Sequence, residues 1–197
     1  MNENWSWRVP GIPDSEFLRG KAPMTKEEVR AVVMCKLSVQ KNDHIIDIGA
    51  GTGSFSIEAS LLAPDGRVLA VESDPESCAL IERNKTRFCT GRLEIREGVA
   101  PDCIATEGMF DKVIIGGSGK RLPDILEWVR THLKKGGIAA VTAITLETAV
   151  LAARELGSKE YCHCDVTSLG VSKGRRVGAS TMMLANNPIT IVCATRS

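Results

Sequence analysis

A glycine-rich segment, Asp47-Ile48-Gly49-Ala50-Gly51-Thr52-Gly53, is the part of this chain best suited to hold a ligand through the backbone. It follows the apolar run His44-Ile45-Ile46 and precedes a mostly apolar stretch at 54–62, which predicts a strand-to-helix turn. Glycines let the backbone approach a ligand closely, and the first N–H groups of the following helix are free to bind an anionic group. Glu72 ends the next apolar run, where a carboxylate can accept hydrogen bonds from ribose hydroxyls. These residues predict a site for a nucleoside-containing ligand.

The spacing of the glycines separates two kinds of nucleoside ligand. A dinucleotide fingerprint needs Gly-x-Gly-x-x-Gly/Ala, but here Ser54 holds the last position and the third glycine, Gly53, comes one residue early. The Gly-x-Gly-x-Gly pattern instead resembles the first motif of the S-adenosylmethionine-dependent methyltransferases. That ligand has no phosphate, so the turn must admit a carboxylate and a ribose. A simple tight turn beside a solvated Glu72 is the alternative, because glycine-rich turns alone are weak signals.

Composition and charge narrow the class of protein. The 197 residues are 43% hydrophobic and 25% charged with a formal net charge of +1, which is ordinary for a globular chain with a sizeable core. The near-neutral balance predicts no nucleic-acid partner and no anionic membrane partner. The sequence has no apolar run near the roughly 18 residues of a membrane helix and no signal-peptide pattern, so we expect a cytoplasmic protein.

The seven cysteines are scattered and odd in number, which predicts reduced thiols rather than a disulfide framework. Cys162-His163-Cys164 could suggest a metal site, but on a strand the two thiols would share one face and His163 would point to the other. A second Cys/His pair that could complete a tetrahedral site is missing from the sequence. We therefore expect no metal and assign these residues to packing.

Hydrophobic periodicity and turn residues predict strands that alternate with helices. Thr25 and Glu28 have the spacing of a capping box, with Thr25 as the N-cap of the first helix, and Asp74-Pro75 begins a later one. The predicted strands are 44–48, 67–72, 93–97, 111–115, 138–141, about 160–170 and about 187–195. The predicted helices are 25–37, 53–63, 74–88, 121–133 and 146–156.

This alternation predicts an α/β fold, a seven-stranded and mostly parallel sheet with helices on both faces. A polar connection separates the last two strands, so we expect them to form a C-terminal antiparallel hairpin at one edge. The arrangement is similar to the Rossmann-like methyltransferases. We expect residues 1–197 to form one domain with an irregular segment at 1–24.

The unusual sequence features all fall at the ends of predicted strands, at 49–53, Glu72, 97–101 and 116–119. Ligands of parallel α/β sheets bind outside the carboxyl ends of the strands, so this agreement favours the methyltransferase interpretation. The small and apolar residues of 97–101 are predicted to contact adenine.

The loop Gly116-Gly117-Ser118-Gly119-Lys120 bears on the methyl acceptor. Enzymes that methylate exocyclic amines often carry Asn/Asp-Pro-Pro-aromatic here, and Asn186-Asn187-Pro188-Ile189 is only a partial echo far along the chain. The loop has no acid that could take a proton from an amine. The pattern favours an acceptor that is itself nucleophilic, such as an electron-rich carbon.

Four segments, 11–17, 23–30, 47–53 and 110–119, occur in an order that resembles the precorrin methyltransferases of cobalamin biosynthesis. The resemblance is strongest to the decarboxylating members, which methylate the C-15 meso carbon and remove carbon dioxide from the ring-C acetate. It spans about residues 11–195. It departs from the family at Lys120, where members often have glycine, and this places the substrate contacts at 120–121 in question.

The resemblance implies S-adenosylmethionine as cofactor and a tetrapyrrole (corrinoid) as substrate. The implied cofactor contacts are Thr25, Gly49, Ala50, Gly51, Thr52, Gly53, Glu72 and Ala100. The candidate substrate contacts are Gly117, Ser118, Lys120, Arg121, Arg175 and Arg176. The last two belong to a turn, Lys173-Gly174-Arg175-Arg176, for which an ordinary solvated hairpin loop is the alternative. The resemblance further implies a homo-oligomer such as a tetramer.

The expected reaction begins with attack of the reduced ring on the sulfonium methyl group, and the cationic ring then accepts the electrons released with the carboxylate. A free-standing chain favours the cobalt-containing branch, with cobalt-precorrin-6B as substrate. A tRNA adenine methyltransferase is the nearest alternative, although the net charge counts against it. A non-catalytic nucleoside-binding subunit is another. Trp5 and Trp7 are predicted to pack across a subunit interface or within the core.

Overall fold

The computed structural model describes residues 10–197, so the prediction for Trp5 and Trp7 lies outside the described residues. Helices and strands alternate over the first two thirds of the chain, as predicted. The helices are α1 (Glu27–Leu37), α2 (Ser54–Leu62), α3 (Pro75–Phe88), α4 (Leu122–His132) and α5 (Leu146–Leu156). The strands are β1 (His44–Ile48), β2 (Arg67–Glu72), β3 (Leu93–Glu97), β4 (Phe110–Ile115), β5 (Leu133–Ala143), β6 (Tyr161–Leu169), β7 (Ser172–Val177), β8 (Ser180–Ala185) and β9 (Ile189–Arg196).

Seven strands form one sheet in the order β3-β2-β1-β4-β5-β9-β6. Strands β1 to β5 pair in parallel, whereas β9 lies between β5 and β6 and is antiparallel to both. The predicted α/β class and the antiparallel pair at one edge are therefore confirmed. The strand order reverses between β1 and β4, which is where open α/β sheets bind their ligands.

Both faces of the central strands are buried, which explains their nearly continuous apolar sequence. Ile45 packs in a core on the face covered by α1 to α3, and its neighbour Ile46 packs in a second core on the face covered by α4 and α5. Successive side chains on a strand point to opposite faces, so one short apolar run supplies both cores.

The predicted capping box is wrong. Helix α1 begins one residue later than predicted, with Lys26 as its N-cap and no side-chain hydrogen bond at the cap. The Thr25 carbonyl instead accepts a hydrogen bond from the Arg30 guanidinium, and the Glu28 carboxylate lies 2.8 Å from Lys173 Nζ. Tertiary contacts thus occupy the Thr25 carbonyl and the Glu28 carboxylate, and the second of these is a group that the local pattern assigned to the cap.

The polar connection between the last two sheet strands is a second, two-stranded sheet in which β7 pairs with β8. Lys173-Gly174-Arg175-Arg176 therefore lies on a strand and not in a turn, and the turn comes at 178–179. Every residue of both strands is exposed. These strands have no buried face, so their sequences need not alternate between apolar and polar residues, which is the pattern that identifies a half-buried strand.

Two other strands are less regular than predicted. Strand β5 begins at Leu133, five residues before the predicted strand at 138–141, so it includes Lys135-Gly136-Gly137, and its pairing with β4 shifts register there. Strand β6 also shifts register beside Cys162, and His163 has a left-handed φ of 51°. The simple alternation expected for Cys162-His163-Cys164 is therefore interrupted.

Candidate active site

A cavity of about 560 Å³ opens at the carboxyl ends of the parallel strands, over the reversal between β1 and β4. This volume is within the usual range for a site that holds a small molecule. The first part of the chain lines it with five segments, 22–26, 48–55 without Gly53, 71–74, 98–100 and 116–119, and with Val29, Ser77 and Ile125. The C-terminal part contributes Thr142, Ile144, Leu169, Val171, Asn186, Asn187 and Ile189.

The loops after β1 and β4 meet at Gly49 and Gly117. Gly49 has a left-handed φ of 72°, and a Cβ built on it would lie 2.3 Å from the Gly117 carbonyl oxygen. The Gly116 N–H donates to the Ile48 carbonyl at 2.9 Å, which keeps the two loops in contact. A side chain at Gly49 would push the loops apart, so glycine is needed here for both conformation and space.

Gly53 has a different role from the other glycines of the motif. Its φ is 76°, and a Cβ on it would lie 2.9 Å from Ile81 Cγ2 on α3. Gly53 is the N-cap of α2 and is not one of the residues that line the cavity. The third glycine of the motif therefore permits close packing of α2 against α3.

The Glu72 carboxylate links the loop after β1 to the loop after β2. One oxygen accepts from the Gly51 N–H at 2.8 Å, and the other accepts from the Ser73 N–H at 2.7 Å and the Asp74 N–H at 3.0 Å. Glu72 also lines the cavity. An ionised carboxylate has about four acceptor sites, so these amides leave capacity for a ligand hydroxyl.

Two polar groups beside the glycine turn are buried and incompletely bonded. Asp47 is fully buried; Ser56 Oγ donates to its Oδ2 at 2.5 Å, while its Oδ1 has no partner within residues 10–197. Burial raises the pKa of Asp47 to about 7, against the opposing effect of the Ser56 hydrogen bonds. Thr52 Oγ1 is likewise buried and unpartnered in the described range, and Thr52 lines the cavity.

A buried arginine holds the N-terminal wall of the cavity, residues 22–26, against the helices. The Arg30 side chain is completely buried and donates to Glu58 Oε1 and Asp14 Oδ1, each at 2.8 Å. It also donates to the Thr25 and Ile12 carbonyls. The guanidinium thereby fixes the wall at Thr25 and also binds the chain at 12–14.

Sequence reasoning missed this arginine and its carboxylate partner. Arg30 lies next to Val29 on the buried side of α1, and Glu58 lies in the middle of α2 between the apolar residues Ile57 and Ala59. Glu58 also accepts from the Gly11 and Ile12 N–H groups at 3.0 Å. Burial raises the pKa of Glu58, although Arg30 opposes the shift. A charge within each of two apolar helix patterns was the available signal.

Most of the predicted cofactor residues meet at the cavity. Those that line it are Thr25, Gly49, Ala50, Gly51, Thr52, Glu72 and Ala100, whereas Gly53 does not. They come from four separate segments that the parallel sheet brings to one edge. Their role as cofactor contacts stays a prediction.

The predicted substrate residues divide into two groups. Gly117 and Ser118 line the cavity, but Lys120, Arg121, Arg175 and Arg176 do not. Arg121 is held by Asp102 at 2.6 Å and by Asp124 at 3.0 Å. Arg175 and Arg176 are exposed on β7 and form no ion pair with any residue of 10–197. The neighbouring Lys173 is instead paired with Glu27 and Glu28, each at 2.8 Å.

The segment Asn186-Asn187-Pro188-Ile189 also reaches the cavity, although its sequence position suggested no connection with the glycine loops. Strand β9 begins here and runs between β5 and the edge strand β6. This insertion carries the asparagines to the open end of the crevice. This position could not be predicted because it results from a pairing between distant strands, which local sequence does not reveal.

No group of three or more His, Cys, Asp and Glu side chains within residues 10–197 is arranged to hold a metal ion. The same part of the chain contains no helix long and apolar enough to cross a membrane.

A family model described as the precorrin methyltransferase domain matches residues 16–196. The chain belongs to this family. The cobalt-precorrin-6B C(15)-methyltransferase (decarboxylating) of Salmonella typhimurium is 39% identical over 182 residues, which cover 92% of this chain and 94% of that protein. The predicted family is therefore confirmed, and with it the methyltransferase class and S-adenosylmethionine as methyl donor.

Solved structures of two precorrin enzymes have the same fold. The precorrin-6y C5,15-methyltransferase of Geobacter metallireducens superposes with a TM-score of 0.90 at 36% identity, covering 96% of this chain and all of the other. The precorrin 8W decarboxylase of Methanobacterium thermoautotrophicum gives a TM-score of 0.86 at 35% identity, covering 93% and 98%. The precorrin methyltransferase fold thus extends over nearly all of the chain, including the C-terminal strands.

Proposed function

We propose that this precorrin methyltransferase methylates carbon C-15 of cobalt-precorrin-6B and removes carbon dioxide from the ring-C acetate, as part of cobalamin biosynthesis. The reaction proposed is the one that the names of the relatives reported above describe. The observation that supports it in this chain is the cavity formed where the Gly49 and Gly117 loops meet, with Glu72 and Thr52 in its wall.

The residues of the crevice fit S-adenosylmethionine, which supplies an electrophilic methyl group when bound. The Thr52 hydroxyl, which has no partner within residues 10–197, and the one acceptor site that the three amides leave on Glu72 suit the carboxylate and ribose of such a ligand. Ala100, which is largely buried in the wall, offers an apolar surface for adenine. The wall at Thr25 would close the site from the N-terminal side. Holding two reactants in line in this way supplies much of the rate in such a transfer.

A titration with S-adenosylhomocysteine tests the cofactor site. We expect Glu72→Gln to weaken binding by about tenfold or more, because the ribose and the Gly51 loop lose a charged acceptor. Glu97→Gln is the matched control, since Glu97 ends the neighbouring strand in register with Glu72 but does not line the cavity. Binding to wild type that calorimetry cannot detect would refute the proposal.

A turnover assay with purified cobalt corrinoids tests the reaction itself. We expect wild-type protein to yield a product that has gained a methyl group and lost carbon dioxide, as read by mass spectrometry. A tRNA adenine methyltransferase would instead shift total tRNA in a gel and methylate it, and its binding would weaken steeply with salt.

Arg175 and Arg176 remain our candidates for contacts with the substrate's outer carboxylates. They are unpaired within the described residues, and the base of their hairpin, at Val171 and Asn186, lines the cavity. The double variant Arg175→Ala/Arg176→Ala should bind S-adenosylhomocysteine normally and lose corrinoid affinity. Arg83→Ala, at an exposed position on α3, is the control. Corrinoid affinity unchanged in the double variant would remove this assignment.

We also propose a homo-oligomeric, cytoplasmic protein of one domain that does not bind nucleic acid. Strand β8 exposes Met182, Met183 and Leu184 by 52%, 63% and 41%. A two-stranded hairpin is marginally stable alone, so a second copy that covers these side chains would stabilise it. Light scattering should show an oligomer for wild type and a smaller species for Met183→Glu. A wild-type monomer would contradict this part.

A further inference from the structure

The two ends of the cavity differ in charge. Within residues 10–197, the charged side chains that line it are Lys26, Glu72 and Asp74, all from the first half of the chain. The opposite side is formed by Ile144, Leu169, Val171, Asn186, Asn187 and Ile189, which we call the C-terminal wall. This wall contains aliphatic groups and two carboxamides but no ionisable side chain.

The backbone of the C-terminal wall is held by strand pairing and by a hydrogen bond across the base of the hairpin. Leu169 pairs with Ile189 in the β6–β9 ladder, and the Asn186 N–H donates to the Val171 carbonyl at 2.9 Å. These contacts fix the base of the hairpin at the mouth of the crevice. Ile144 is 72% exposed, so an apolar surface is available there for a ligand larger than the cofactor.

We propose that the C-terminal wall is the decarboxylation subsite, which receives the one acetate that leaves as carbon dioxide. The inference rests on the proposed function and adds the place where the second half of the reaction occurs. Asn186 and Asn187 orient the carboxylate through neutral N–H donors, while the aliphatic side chains surround it with apolar groups once the bound ring covers this open face.

The chemistry explains why a neutral wall suits this step. The bond between the acetate methylene and the carboxyl carbon breaks, its electron pair enters the cationic ring, and the carboxyl leaves as neutral carbon dioxide. The methylene carbon then takes up a proton from water, and the ring releases one proton in compensation. A carboxylate loses its charge along this path, so a fixed cation would stabilise the starting state more than the transition state. An apolar and neutral surrounding instead disfavours the charged starting state relative to the transition state.

The same difference separates the acetate that is lost from the carboxylates that remain. A carboxylate paired with a cation at the rim, such as Arg175 or Arg176, keeps its charge stabilised and stays attached. The acetate in the C-terminal wall meets neutral donors instead. The position of the substrate in the cavity thus selects a single carboxylate.

The test places a cation in the C-terminal wall and measures carbon dioxide released per methyl group transferred. Wild type should release equal amounts of both. We expect Asn187→Lys, and Asn186→Lys as a second variant, to lower that ratio by roughly tenfold and to accumulate a methylated corrinoid that retains its acetate. Asn42→Lys adds the same charge in an exposed turn remote from the cavity, so it should keep the wild-type ratio.

S-adenosylhomocysteine binding shows that each variant is folded. A ratio that stays at the wild-type value in both lysine variants, whatever their overall rate, overturns the subsite and leaves the proposed function intact. A wild-type protein that neither methylates the corrinoid nor releases carbon dioxide refutes the proposed function instead.

Discussion

The two halves of the crevice are held in place by different means. On the cofactor side, the wall at 22–26 is fixed by a buried guanidinium, and Glu72 joins two loops through backbone N–H groups. On the hairpin side, every residue of β7 and β8 is exposed, and Lys173 supplies a link to α1 through exposed ion pairs. The cofactor side is organised by the chain's own core, whereas the hairpin that extends from the other side is held by surface contacts. We therefore expect large effects of mutation on one side and small effects on the other.

Removal of the buried guanidinium should give the largest loss of stability. Arg30→Met leaves Glu58 buried without its cation, which should lower the free energy of unfolding by about 3–5 kcal/mol. Urea denaturation measures the change. The double variant Arg30→Met/Glu58→Gln should recover part of the loss, because the unpaired charge is gone. A loss for Arg30→Met of less than about 1 kcal/mol would mean that the N-terminal wall is held by other contacts.

A methyl group added to either of two left-handed glycines compares the halves directly. Gly49→Ala places a Cβ 2.3 Å from the Gly117 carbonyl, so it should weaken S-adenosylhomocysteine binding by about a hundredfold. Gly178→Ala in the hairpin turn has a similar φ of 59° but nothing within 4 Å of the new Cβ. It should cost about 1 kcal/mol of local strain and leave binding unchanged. Calorimetry measures both; equal binding by the two variants would contradict the loop contact.

Much of the cofactor half could be predicted from sequence because its signals are local. Gly49 indicates a turn and Glu72 indicates the end of a strand. Asp74 caps α3 by accepting a hydrogen bond from the Ser77 N–H at 3.0 Å, as its sequence predicts. The predicted cap at Thr25 is absent: helix α1 begins at Glu27 with Lys26 as its N-cap, and the Thr25 carbonyl accepts a hydrogen bond from Arg30. A local pattern cannot show a competing partner that tertiary structure supplies.

The C-terminal half was predicted less completely, and for a physical reason. Strands β7 and β8 bury nothing, so their sequences carry no alternation to detect. Asn186 and Asn187 reach the cavity only because β9 inserts between β5 and β6, a pairing between strands far apart in sequence. Charge clustering drew attention to 173–176 but assigned it to a turn, whereas these residues lie on β7. Non-local pairing, rather than weak propensity, limits prediction here.

The pH dependence of stability offers a smaller test of the cofactor half. In the unfolded chain the Asp47 carboxyl ionises near pH 4, whereas burial keeps it protonated in the folded protein up to about pH 7. Between these values the folded state holds one more proton, so rising pH lowers stability, by at most about 1.4 kcal/mol per unit, and above pH 7 the loss is constant. Asp47→Asn should remove this component of the difference between about pH 5 and pH 8. Asp65→Asn, at an exposed carboxylate, is the control, and an identical pH profile for wild type and Asp47→Asn would contradict the assignment.

The ion pairs of Lys173 should have the smallest effect, although they link the hairpin to the start of α1. Lys173 is 46% exposed and its partners Glu27 and Glu28 are 28% and 35% exposed, so water and salt screen the attraction. Lys173→Gln should lower the free energy of unfolding by no more than about 1 kcal/mol, and the loss should shrink in high salt. Lys21→Gln removes a more exposed pair with Glu76 and is the matched control. A salt-independent loss of several kcal/mol for Lys173→Gln alone would show that the hairpin is anchored as firmly as the cofactor wall, and the contrast between the two halves would fail.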